Sequence, residues 1–160
     1  MDPNIPVDRR GQALHRAAWD GAATCVELLL EASATVNAVW MRGTTALHLS
    51  ALQGHTAALQ ALLSRRAGLQ QRTLDGANAL HFAAQNGHKE ATARRCHGCL
   101  GRQVTQLLLD LSCCMETERR DDGARPLHNA AYEGHAEVLQ LLLKSRAQSL
   151  KQRFQALHGM

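Results

Sequence analysis

The sequence predicts an all-α fold, a solenoid of four two-helix units stacked side by side, and three observations lead there. The pair Leu-His recurs at His15, His48, His81 and His128, spaced by 33, 33 and 47 residues. Self-similarity at such a period is the mark of a repeat architecture. After each pair comes a second, Leu-rich block, at 25–34, 58–67, 104–113 and 137–147. Finally, only Trp19, Trp40, Phe82, Tyr132 and Phe154 are aromatic, so Ala and Leu must build the core, which suits closely packed helices.

The first helix of each unit follows from "QALHRAAWDG" (12–21), "TALHLSALQGH" (45–55), "NALHFAAQNGH" (78–88) and "RPLHNAAYEGH" (125–135). Small residues at Ala17-Ala18, Ser50-Ala51, Ala83-Ala84 and Ala130-Ala131 remove bulk, so neighbouring backbones can approach. Gly21, Gly54, Gly87 and Gly134 end that helix, where a left-handed residue costs glycine least. In the second block Val26, Leu29 and Leu30 recur at i, i+3, i+4, the apolar stripe of an amphipathic helix. Connectors at 33–43, 67–76 and 113–123 carry the polar and glycine residues of hairpins.

In these segments the chain resembles the ankyrin-repeat family, whose unit reads Thr-Pro-Leu-His-x-Ala-Ala-x-x-Gly-His before a Leu-rich helix, at a period of about 33 residues. The resemblance runs from about Val7 to Ala147. It implies four repeats, near 8–40, 41–73, 74–120 and 121–148, in one domain over 1–150, each with a hairpin finger projecting to one side. Ala13, Ala46 and Ala79 stand where the motif has proline, kept only at Pro126; losing a residue that presets the first helical φ predicts modest stability.

The long interval places an insertion in the third repeat. Val104-Thr105 take the role that Ala91-Thr92 would have played, which makes 93–105 extra. Val104, Leu107, Leu108 and Leu111 form a helical stripe, so the working helix is expected from about Arg102 to Leu111. Gly98 and Gly101 each disfavour helix by about 1 kcal/mol relative to Ala, so the residues before it are expected as a loop. Residues 149–160 read as a basic tail or as the opening of a truncated fifth repeat, since "QALH" recurs at 155–158.

Charge and cysteine content narrow the function. The formal charge is +4, with basic stretches at 89–102 and from Lys144 onward. A polyanion-binding surface using Arg94, Arg95 and Arg102 is one alternative, but basic and aromatic residues do not interleave, so nucleic acid is disfavoured. No apolar stretch approaches the about 20 residues of a membrane span, and the first ten residues lack the apolar segment of a secretory signal. Five cysteines, two of them adjacent, do not form a disulfide framework. A reducing compartment is expected, the cytoplasm or also the nucleus.

Cys96 and Cys99 form a Cys-x-x-Cys, the one candidate for zinc or redox regulation. Closed zinc sites need about four ligands, usually as two spaced pairs, and the nearest second pair, Cys113-Cys114, is adjacent. No metal and no cofactor are therefore expected. Seven of the nine histidines belong to the repeated Leu-His and Gly-His, where the family resemblance implies hydrogen bonds tying hairpin to helix. No phosphate loop, nucleophile elbow or paired-carboxylate site appears, so the chain is expected not to be an enzyme.

Function in such a scaffold falls to the unrepeated positions. Trp19, Leu52, Gln85 and Tyr132 are equivalent once the period is removed, and the resemblance implies that this side of the first helix lines a concave groove. With Trp40 from the first finger they make the candidate contact stripe for another protein, since Trp, Tyr and Arg are enriched at binding hot spots. Arg42, Arg72 and Arg125, near the fingers, are the candidates for steering a charged partner. The alternative for Trp19 and Trp40 is mutual packing that covers the N-terminal end of the stack. "TVNA" (35–38) resembles the stretch that asparaginyl hydroxylase modifies in this family, which makes Asn37 a modification candidate. The expected reading is a monomeric adaptor, scaffold or regulatory subunit that binds a protein.

Overall fold

The computed structural model describes residues 12–85, 97–110, 118–119 and 122–158. Its helices are α1 (Ala13–Asp20), α2 (Ala23–Glu31), α3 (Ala46–Gln53), α4 (Thr56–Ser64), α5 (Ala79–Gln85), α6 (His97–Asp110), α7 (Pro126–Tyr132) and α8 (Ala136–His158). Helices α1, α3, α5 and α7 pack on one another in succession, α2, α4, α6 and α8 form a second row, and each odd helix packs on the even helix that follows it. Among the described residues there is no strand, and an isolated bridge joins Trp40 and Thr44 in the first finger.

The repeated residues form the core. Leu14, Leu47 and Leu80 are buried in the odd helices, and Val26, Leu59, Leu62, Val104, Leu108 and Val138 in the even ones. Ala18, Ala51 and Ala84 are wholly inaccessible, as expected where helix backbones come close, whereas the equivalent Ala131 is exposed. Gly21 ends α1 at φ +73°, and a Cβ there would lie 2.5 Å from the His55 ring. Absence of a side chain thus meets two demands at one residue, the left-handed backbone and the room for a histidine.

The Leu-His histidines stitch one unit to the next. The Thr45 amide donates to His48 Nδ1 (3.1 Å), so Nδ1 is assigned the lone pair and Nε2–H donates to the Gln71 carbonyl (3.1 Å) in the connector ahead of the next unit. His15 Nε2 reaches the Ala38 carbonyl (2.9 Å) and His81 Nε2 the Ala124 carbonyl (3.1 Å). The Gly-His residues act in the opposite direction: His55 Nε2 bonds the Trp19 carbonyl (3.0 Å) and His135 Nε2 the Gln85 carbonyl (3.4 Å), each at the end of the preceding unit's first helix. Hydrogen bonds of the kind the resemblance implied are therefore present at His15, His48 and His81, whereas His55 and His135 bind helix ends rather than hairpins, and His88 lies outside the described residues.

The fingers also stack. The Leu74 amide donates to the Arg42 carbonyl (2.8 Å), which joins the first finger to the second. Arg119 reaches Asp75 (3.4 Å), which joins the second to the third. Within the second finger, Thr73 Oγ1 donates to the Asp75 carboxylate and accepts the Ala77 amide (3.1 Å).

One expectation needs correction. The loop expected over 93–105 is helix from His97 onward, so α6 starts five residues before the expected Arg102 and contains both Gly98 and Gly101. Residues 93–96, Cys96 among them, lie outside the described residues. Once the Val104 and Leu108 face nucleates a turn, extending it gains one hydrogen bond per residue, and this offsets the penalty of two separated glycines. Within 149–160, expected as a basic tail or the opening of a truncated fifth repeat, residues up to His158 continue α8 without a break.

Candidate functional site

The unrepeated residues on the odd-helix side fall around two concavities. The first, of about 300 Å³, is lined by His15, Arg16, Trp19, Trp40 and Leu49. Trp19 stands at the end of α1, one residue past the close-packed alanines, and is 40% exposed. Trp40 reaches the same cleft from the first finger, its ring centroid 6.2 Å from that of His15. The two indoles thus line the same cleft. Arg16 sits on its rim paired with Asp20 one turn on (2.7 Å).

The second concavity, of about 360 Å³, is lined by Gln85, Arg119, Asp122, Ala124, His128, Asn129, Tyr132 and Glu133. It is the more polar of the two. Tyr132 projects from the end of α7 and is 90% exposed. Arg119 and Asn129, which sequence reasoning did not single out, belong to it: Arg119 through its bond to Asp75, and Asn129 through a bond from its side-chain amide to the His81 carbonyl (3.4 Å). Leu52, half-buried on α3, lines neither concavity.

The arginines expected to steer a partner differ in their circumstances. Arg42 is exposed at φ +59° in the short 3-10 turn Met41–Gly43, and Arg72 is exposed in the connector before the second finger. The Arg125 guanidinium instead pairs with Glu118 (Nε to Oε1 3.0 Å) while its amide donates to His128 Nδ1 (3.0 Å). Asn37 is half-buried in the turn before the first finger, where its Oδ1 accepts the Gly68 amide (2.8 Å).

Burial governs the electrostatics. It lowers the pKa of His15, and of His81, against the opposing pull of the carbonyls each bonds. His48, which is inaccessible, is lowered to about 4 by the same cause. These rings stay neutral at neutral pH, which suits structural donors. Asp75 is held below the usual carboxylate range: burial would raise it, but the Thr73 hydroxyl, its own backbone amide and Arg119 outweigh that.

Among the described residues no three His, Cys, Asp or Glu side chains converge on a point where a metal ion would sit. Cys99 falls in the first turn of α6, and Cys96 is outside the described residues. No described helix is long and apolar enough to cross a membrane.

Residues 14–94 match the family profile described as "Ankyrin repeats (3 copies)", and residues 122–152 match that described as "Ankyrin repeat". The stretch left between the matches contains most of the extra residues behind the long interval. No curated protein is significantly similar to the chain. Repeats of this kind are generally protein–protein interaction modules rather than catalysts. Paired helices, stacked fingers and histidine stitching carry the same signature as the sequence profiles: the chain belongs to the ankyrin-repeat family.

Proposed function

We propose that the chain is a non-enzymatic adaptor built of four ankyrin repeats, monomeric, working in the cytoplasm or nucleus, and capturing a partner protein along the odd-helix side. The observation that carries this reading is the exposure of large aromatic residues at repeat-equivalent positions, Trp19 at 40% and Tyr132 at 90%, each beside a concavity. Trp40, Leu52 and Gln85 complete the contact stripe, and Arg42, Arg72 and Arg125 set the charge along the fingers. Because the histidine and finger bonds order the stack before encounter, docking costs little conformational entropy.

The test is the double substitution Trp40→Ala and Tyr132→Ala in the full chain. Loss of partner capture with unchanged helical circular dichroism is expected, and retained capture refutes the assignment. Asn37 is a second-tier assignment as a hydroxylation site, supported by its place in the first connector. Intact-mass analysis of cell-derived protein should show one added oxygen on Asn37.

A further inference from the structure

Helix α8 is 23 residues long, whereas α2 and α4 have 9 each. Its packed face is short: Val138 and Leu142 are buried, with Ser145 and Ser149 half-buried on the same side. Rotated well away from that face run Leu143, Ala147 and Leu150, and in the sequence Phe154 and Leu157 continue the same series, spaced 4, 3, 4 and 3 residues. That is the a/d alternation of a coiled-coil seam sustained for about four turns, roughly 21 Å of helix. Leu143 is 48% and Leu150 57% exposed, and Ala147 between them is exposed too.

With Leu143, Leu150 and Leu157 at d and Ala147 and Phe154 at a, the flanking e positions are Lys144 and Lys151 and the g positions Arg146 and Arg153. Both edges of the seam are therefore basic, and no acidic residue occurs from Lys144 to the end of the sequence. Charges at e and g choose the partner of such a seam. Like charges along both edges oppose pairing with a second copy of this helix, and leave an amphipathic helix with acidic edges as the complement.

We propose that the exposed face of α8 is a second docking surface, distinct from the odd-helix groove, and that its occupant is an amphipathic helix of another protein with apolar a/d residues and Asp or Glu at e and g. The apolar seam supplies the buried area, and the basic edges set the pairing and its salt dependence.

The experiment uses the full chain and a synthetic three-heptad peptide with Leu at a and d and Glu at e and g, followed by fluorescence anisotropy. A sister peptide with Lys at e and g is the control. The acidic peptide should bind saturably, the basic one should not, and Leu143→Glu with Leu150→Glu should weaken binding about tenfold or more at unchanged circular dichroism. Charge reversal at Lys144, Arg146, Lys151 and Arg153 to Glu should transfer the preference to the basic peptide, while Trp40→Ala should leave peptide binding unaltered. Absent binding, equal binding of both peptides, or binding that survives the leucine substitutions overturns the proposal. So does a dimer in sedimentation that the leucine substitutions abolish, which would make the face a self-interface. Heparin binding that depends on the basic residues but not on the leucines, without peptide binding, would make it a polyanion surface instead.

Discussion

Acidification should loosen the stack chiefly through His48. This ring is inaccessible to solvent, its Nδ1 accepts the Thr45 amide, and its Nε2–H is committed to the Gln71 carbonyl. Protonating it would desolvate a cation and turn the Nδ1 acceptor into a donor facing the Thr45 N–H. Burial accordingly lowers its pKa from 6.5 to about 4. The unfolded chain thus takes up a proton near pH 6.5 that the folded chain refuses until about pH 4, so the unfolded state binds more protons across that window. Stability must then rise with pH between those limits; the His48 contribution is whole above 6.5 and is lost as pH falls toward 4.

Each pH unit in the middle of the window is worth about 1.4 kcal/mol per proton, so acidifying from about pH 7 to about pH 5 should cost about 2 kcal/mol through this ring alone. Urea unfolding followed by helical circular dichroism at the two pH values measures the loss. In His48→Gln, where the titrating group is gone, the loss should shrink by about the same 2 kcal/mol. Equal pH sensitivity in the two proteins would refute the claim that the buried neutral ring governs this response. His15 and His81, lowered by burial as well, should add to the slope in the same direction.

Further substitutions separate packing from backbone effects. Gly21→Ala meets both a φ of +73° and the His55 ring, so it should destabilise by well over about 1 kcal/mol, whereas Gly123→Ala, at φ +65° with open space around it, should cost only about 1 kcal/mol; thermal unfolding of the pair ranks them. Leu62→Ala, at a fully buried site, should cost about 2–5 kcal/mol in urea unfolding, while Leu28→Ala, 65% exposed, should change stability by less than about 0.5 kcal/mol. Thr73→Val removes the acceptor of the buried Ala77 amide and should cost about 1–3 kcal/mol, with faster amide exchange in the second finger as its local signature.

What the sequence made legible is what the period repeats. The recurring Leu-His is conspicuous because His15, His48 and His81 use the same ring nitrogen to reach a connector carbonyl, and Gly21, Gly54 and Gly134 occupy left-handed turns at one position of the unit. The start of α6 was not legible, since Gly98 and Gly101 argue locally against helix, and the cooperativity of extending it from the buried Val104 and Leu108 face has no signature in single-residue propensities. Arg125 shows a different limit: acidic residues lie near it in sequence, but only the finger's fold brings Glu118 onto its guanidinium. The pairing of Arg119 with Asp75 and the bond of Asn129 to the His81 carbonyl were not legible because the partners are more than forty residues apart along the chain. The length of α8 was in fact readable, for no glycine or proline interrupts 136–158.

The stitching histidines have a mechanical corollary. Links that run from each unit only to the next stand in series, so tension applied along the stack passes through every junction and is shared by none. The stability of such an assembly is the sum of what each unit and each junction contributes, with no contact reaching past the nearest neighbour. At the junction of the last two pairs the His135 bond to the Gln85 carbonyl spans 3.4 Å, against 3.0 Å for its counterpart at His55.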